Sequence, residues 1–178
     1  MQSPVGGARL GDKVVITLSP SGRASNLPSQ SDMQVPRLHA DATLQGANAG
    51  ASIVHLRGTS QPQAPGEALL NRPNLDNWRE VTNLIRADCD IVINYGASAM
   101  EPAVRKALLG LKPEAASFLV GHHFGGMTVP VEMQRRLAVD YRDAGVLPEV
   151  EIFHTGDLAN FNALVKEGRL APPFCVTL

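Results

Sequence analysis

Six short apolar runs of strand length alternate with amphipathic helical patterns along the chain, and no hairpin signal joins any two of the runs. This alternation constrains the fold more than any single motif, because strands separated by helices pair in parallel through right-handed crossovers. The sequence therefore predicts a parallel α/β architecture. The predicted strands are Lys13–Leu18, Ser52–Arg57, Asp90–Tyr95, Ser117–Val120, Glu149–Phe153 and Pro173–Leu178.

The helices between these runs have recognisable ends. Pro36 suits the first position of a helix that exits at Gly50, and Asn74 can cap the helix that follows the second strand. Thr128 is the predicted cap of a helix that ends at Gly145.

The alternation makes a TIM-barrel-like (β/α) fold the first candidate, apparently incomplete with about six β/α units. Residues 1–12 are polar and aperiodic and are expected to form a flexible tail, and residues 13–178 are expected to form the partial barrel domain. Such a barrel needs about 250 residues. Either the chain is the front of a longer enzyme, or its sheet is open and its apolar edges are covered in a homo-oligomer.

Composition excludes several classes of function. With 44% hydrophobic and 19% charged residues and a net charge of -1, the 178-residue chain is typical of a globular protein that binds small molecules rather than nucleic acid. No run approaches the roughly 20 apolar residues that span a membrane. Cys89 and Cys175 lie far apart without metal spacing. We therefore expect reduced thiols and a cytoplasmic location.

The second strand carries the first candidate site residues. Side chains alternate along a strand, so His55 and Arg57 share one face near its carboxyl end, where the chemistry of (β/α) barrels gathers. His55 is a candidate metal ligand, with a buried core histidine as the alternative. Arg57 can bind a substrate carboxylate with two hydrogen bonds, or it can simply form an ion pair.

Further candidates follow the later strands at the same predicted edge. The turn after strand three can bind substrate through its hydroxyl and backbone groups, although an ordinary turn and helix cap is equally consistent with it. Strand five places two carboxylates on one face, where they need a cation or a metal as partner unless they lie on an exposed edge. These candidates are Asn94, Tyr95, Gly96, Ser98, Glu149 and Glu151.

Several of these segments, in this order, resemble the β-keto acid cleavage enzymes, the group that contains 3-keto-5-aminohexanoate cleavage enzyme. The resemblance runs from Lys13 to Leu178. Its motifs are Lys-Val-Val-Ile-Thr with Ser-Pro-Ser-Gly, Ala-Gly-Ala-Ser-Ile-Val-His at 49–55, Ile-Asn-Tyr-Gly at 93–96 and Leu-Pro-Glu-Val-Glu-Ile-Phe at 147–153.

The resemblance implies a TIM barrel with zinc at its carboxyl mouth. It also implies an acyl transfer between a small β-keto acid and acetyl-CoA by metal-assisted Claisen and retro-Claisen chemistry. The family pairs two histidines on strand two, but here the second position is Arg57, which has no lone pair for a metal. A further ligand glutamate and the catalytic aspartate of the family have no counterpart in this sequence.

These departures leave two readings. In the first, the chain is an enzyme in which Glu151 and Arg57 act in catalysis, and a rewired zinc site combines His55 with His122 or His123 and Glu151. In this reading Glu149 is expected to bind substrate. In the second, the chain is a catalytically silent, truncated relative that binds an anion or serves as a structural subunit.

Overall fold

The computed structural model describes residues 14–20, 36–57, 75–98, 102–121 and 128–178. Six strands and five helices alternate along these residues. The strands are β1 (Thr17–Leu18), β2 (Ile53–Leu56), β3 (Val92–Tyr95), β4 (Ala115–Leu119), β5 (Leu147–Glu151) and β6 (Cys175–Thr177). The helices are α1 (Pro36–Asn48), α2 (Leu75–Asp88), α3 (Pro102–Leu109), α4 (Val131–Ala144) and α5 (Thr155–Lys166).

The strands form one sheet in sequential order, and every neighbouring pair is parallel. The sheet curls into a half-barrel, so the predicted incomplete TIM-barrel-like fold is confirmed. Because all the strands run the same way, their carboxyl ends lie at one rim of the half-barrel. The predicted tail at residues 1–12 lies outside the described residues.

One face of the sheet packs against the helices. Tyr95 of β3 lies edge-on to Trp78 of α2, with ring centroids 4.6 Å apart, and its hydroxyl bonds to that of Thr82 at 2.5 Å. Phe118 of β4 meets Tyr141 of α4 in the same way at 5.3 Å. These aromatic contacts identify the helix-covered face as the outer face of the sheet. The side chains at the intervening positions of each strand therefore face the barrel interior.

Several predicted boundaries are wrong. β3 begins at Val92 rather than Asp90, β4 at Ala115 rather than Ser117, and β6 at Cys175 rather than Pro173. The first strand covers only Thr17–Leu18, and Val14 is 81% exposed rather than buried on both faces, because β1 is an edge strand that pairs only with β2 among the described residues. The fifth strand begins at Leu147 and includes Pro148, a residue that usually interrupts strands. The fifth strand ends at Glu151, two residues before its predicted end at Phe153.

The start of α4 also differs from the prediction. Thr128 does not cap this helix, which begins at Val131 after Pro130 and has no side-chain cap. The backbone N–H of Val129 instead donates to the carbonyl of Gly121 at 2.7 Å. This bond keeps the segment extended for two residues beyond the predicted cap. The predicted end of the helix at Gly145 is confirmed.

None of the helices within the described residues combines the length and the apolar character needed to cross a bilayer.

Candidate functional site

Polar side chains of three strands meet on the inner face of the half-barrel. His55 of β2 lies beside Asn94 of β3 in the strand register, and both reach toward Glu149 of β5. The amide of Asn94 donates to Glu149 Oε2 at 2.6 Å, and Nδ1 of His55 lies 3.6 Å from the same oxygen. His55, Asn94 and Glu149 are far apart in the sequence and form one polar cluster in the fold.

Both carboxylate oxygens of Glu149 have partners in the protein. Oε2 faces Asn94 and His55, and Oε1 accepts a hydrogen bond of 2.8 Å from the hydroxyl of Thr177 on β6. Sequence analysis missed Thr177. The alternation of side chains along the last predicted strand could have indicated Thr177. This residue lies two positions from Cys175, the register partner of Glu149, and so shares its face of the sheet.

Gly96 gives His55 and Arg57 the space that they occupy. A Cβ on Gly96 would lie 2.6 Å from Nε2 of His55 and 2.9 Å from Cγ of Arg57, closer than non-bonded atoms approach. The two side chains therefore lie together against the turn after β3, as the alternation along β2 predicts. Any larger residue at position 96 would displace them.

Burial tunes the acid–base groups of this cluster. It lowers the pKa of His55, with Glu149 acting in the opposite direction and Arg57 lowering this pKa further. The net lowering of the His55 pKa favours the neutral imidazole. Burial raises the pKa of Glu151, and the neighbouring charge of Glu149 raises it too, while hydrogen bonding by Ser98 and Ser117 and the charge of Arg57 lower it.

Two buried acceptor atoms in the cluster have no hydrogen-bond partner within the described part of the chain. They are Oδ1 of Asn94 and Oε2 of Glu151. Buried acceptors without partners are costly, so each is a position where a donor group of a ligand would be stabilised. Arg57, exposed at the end of β2, adds a cation to the same rim.

The remaining predicted site residues are not all brought together. Tyr95 points to the outer face, where its ring is fully buried against α2, so the structure does not place it beside His55. Ser98 is buried, and its hydroxyl interacts with Glu151. His122 and His123 lie outside the described residues.

Arg105 of α3 is a second residue that sequence analysis missed. Its guanidinium is buried and donates to the backbone carbonyl of Ser98 at 2.9 Å. It thereby holds the turn from which Ser98 reaches Glu151. A lone arginine in an amphipathic helix gives no sign of such a contact.

The described residues do not fit the zinc site that the family resemblance implies. They contain no group of three or more His, Cys, Asp or Glu side chains arranged to hold a metal ion. Arg57, in the place of the second histidine, adds positive charge beside His55, which would repel a dication. The rewired ligand set therefore depends on His122 or His123.

Comparisons with known proteins agree with the fold. The family model of β-keto acid cleavage enzyme matches residues 13–178. A curated relative, 3-dehydrocarnitine:acetyl-CoA trimethylamine transferase of Rhizobium meliloti (strain 1021), is 28% identical to this chain over an alignment 198 residues long. The alignment covers 93% of this chain and 64% of the relative. The apo structure of ObcA shares the fold, with a TM-score of 0.63 and 21% identity over 81% of this chain and 35% of that one.

Proposed function

Because the chain belongs to the β-keto acid cleavage enzyme family, we propose that it acts in acyl transfer between a small β-keto acid and acetyl-CoA. The observation that carries this proposal is the pairing of one exposed cation, Arg57, with one buried carboxylate oxygen of Glu151 that has no partner among the described residues. A cation can bind the carboxylate of a keto acid, and a carboxylate base at the same rim can remove a proton from the bound acid.

The curated relative supports the choice of acetyl-CoA as co-substrate, since it is named as an acetyl-CoA-dependent transferase. The chain spans 64% of that relative's length, so the proposal concerns the groups that this chain contributes. The other groups of a complete barrel would come from further β/α units.

Arg57 binds the substrate in this proposal. Its guanidinium holds the carboxylate of the keto acid with two parallel hydrogen bonds, a geometry that lysine cannot reproduce. The hydroxyl of Ser98, which interacts with Glu151 in the same polar cluster, orients this carboxylate toward the bound acid. Acetyl-CoA enters from the open side of the rim.

Glu151 is the proposed base. It accepts a proton from C2 of the keto acid, and the electron pair released forms a C–C bond to the acetyl carbonyl carbon while the thioester C–S bond breaks. The CoA thiolate then attacks the original keto carbonyl, and the bond from that carbon to C2 breaks. C2 takes its proton back from Glu151, which yields acetoacetate and a new acyl-CoA.

Zinc would polarise the keto group in the metal-assisted form of this chemistry. The described residues do not supply its ligands, so no step above passes through a metal. His55 with His122 or His123 stays a prediction, which metal analysis of the purified protein tests directly.

The experiment incubates the protein with acetyl-CoA and a panel of β-keto acids and detects acetoacetate and acyl-CoA by mass spectrometry. Arg57→Gln should lower kcat/KM about 10- to 100-fold, because a charge-assisted hydrogen bond is worth about 1.5–3 kcal/mol. Arg37→Gln is the matched control, since Arg37 is exposed on α1 and pairs with Asp41. Equal activity of the two variants would contradict the role of Arg57.

A catalytically silent relative would give a different result. It would bind keto acids in calorimetry, lose that binding in Arg57→Gln, and form no acetoacetate with any substrate of the panel. That outcome would refute acyl transfer by this chain and retain the anion site.

A further inference from the structure

The two carboxylates on the inner face of β5 have different surroundings. Glu151 has a buried oxygen without a partner among the described residues, whereas Glu149 has both oxygens engaged. Asn94 and Thr177 donate to Glu149 from β3 and β6, on opposite sides of β5. Two donors on different strands fix the carboxylate in position, so little of it remains available to a substrate.

The fixed carboxylate faces one particular atom of His55. Nδ1 lies 3.6 Å from Glu149 Oε2, an ion-pair distance slightly longer than a hydrogen bond, at which the charge of the carboxylate acts directly on this nitrogen. A lone pair on Nδ1 would face a negatively charged oxygen and be repelled. A proton on Nδ1 would be attracted, and the hydrogen bond made by one ring nitrogen decides which tautomer a histidine adopts.

The other end of the ring is determined by Gly96. Its missing Cβ leaves room for Nε2, which lies against the turn after β3 beside the stem of Arg57. Among the described residues, Nε2 has no hydrogen-bond partner. The ring therefore has one end directed at Glu149 and the other at the rim where Arg57 lies.

We infer that Glu149 is a positioning residue, which holds His55 as the Nδ1–H tautomer so that the lone pair of Nε2 is presented at the rim beside Arg57. Glu149 acts through His55 and does not itself bind the keto acid. That this lone pair has a role in acyl transfer rests on the proposed function, whereas the tautomer is inferred from the contacts of His55 alone.

The test reads the tautomer by NMR, independently of activity. Protein labelled with ¹⁵N-histidine gives long-range proton–nitrogen correlations that distinguish the two tautomers, and His55→Gln identifies the signals of His55. We expect Nδ1–H in the unmodified protein and in Glu149→Gln, whose amide oxygen can still accept the bond. Glu149→Met should give Nε2–H or a mixture, and Glu151→Met should leave the His55 tautomer unchanged.

Two results would overturn the inference. One is an Nε2–H tautomer in the unmodified protein, a reading that needs no variant to fold. The other is an unchanged tautomer in folded Glu149→Met.

Kinetics separate this inference from the proposed function. Removing the carboxylate that orients the other ring nitrogen of a functional histidine typically lowers activity about 10- to 100-fold. Glu149→Met should therefore lose kcat by this factor with a smaller change in KM, and Glu149→Gln should recover most of it. The predicted tautomers without any acetoacetate formation would refute the proposed function only, whereas turnover with the wrong tautomer would refute the role of Glu149 only.

Discussion

At the scale of single residues, Glu149 and Glu151 show how neighbours decide the use of a side chain. They lie two positions apart on one face of β5, yet Glu149 is held by Asn94 and Thr177 while Glu151 keeps an oxygen without a partner among the described residues. The pKa of Glu151 is raised chiefly by burial. A base with a raised pKa has more affinity for a proton from a substrate.

The raised pKa of Glu151 predicts how stability depends on pH. The folded state holds this proton more tightly than the unfolded state, whose carboxyl titrates near 4.5, so the free energy of unfolding falls as pH rises from that value through the folded-state pKa. Glu151→Gln removes this cost of ionisation. We expect urea denaturation to show a larger gain in stability from Glu151→Gln at pH 8 than at pH 4.5.

Glu80→Gln on the exposed surface of α2 is the control for this measurement. Its effect on stability should be nearly the same at both pH values. A stability gain from Glu151→Gln that does not grow with pH would contradict the burial of an ionisable carboxylate at this position.

At the scale of elements, helix ends rather than helix interiors specify where the strands begin. Gly145 ends α4 in the left-handed conformation, with φ 71°, and its N–H donates to the carbonyl of Arg142 at 3.1 Å. Only two residues separate the end of α4 from the start of β5. The register of Glu149 and Glu151 therefore depends on this sharp stop.

Two glycines in open space allow the contribution of this stop to be measured. A Cβ on Gly145 or on Gly156 in the first turn of α5 would meet nothing within 4 Å, so only backbone conformation distinguishes them. Gly145→Ala should lower the free energy of unfolding by about 1 kcal/mol, because alanine is strained at positive φ. Gly156→Ala should raise it by about 0.5 kcal/mol through reduced entropy of the unfolded chain.

Both values can be read from urea midpoints at constant m. A urea midpoint that does not fall in Gly145→Ala would contradict the left-handed C-cap at Gly145.

At the scale of the whole molecule, the half-barrel has two edges. Within the described residues, β1 and β6 each pair with a single neighbour, and apolar side chains near them are exposed, among them Val15 at 68% and Val176 at 42%. Open edges of a parallel sheet are templates for pairing with another chain. The fold therefore predicts a homo-oligomer.

Light scattering over a wide concentration range tests this prediction. The protein should self-associate, and Val176→Lys on β6 should weaken association by about tenfold or more, since lysine on an edge strand opposes pairing. Val131→Lys, at the exposed start of α4, should leave association unchanged. A stable monomer at all concentrations would refute the predicted oligomer.

Local sequence pattern was sufficient to predict much of the fold of this protein. Alternating apolar runs predicted the order and parallel pairing of all six strands, and period-two alternation placed His55 and Arg57 on one face. The same alternation separates Asn94 from Tyr95 on β3, so the outward position of Tyr95 was available from the sequence. Boundaries failed at Pro130, at Pro148 and on the edge strand β1, where neighbouring segments rather than propensity decide, and the starts of β3, β4 and β6 were each wrong by two residues.

The sequence by itself determined the fold class, the rim at which polar side chains gather, and the family. Only the tertiary structure decided which of the two carboxylates keeps an oxygen without a partner among the described residues, which nitrogen of His55 faces Glu149, and that Thr177 belongs to the cluster. The physical reason is that periodicity is a property of neighbours along the chain. Distances between strands depend instead on the curvature and register of the whole sheet, which no local pattern contains.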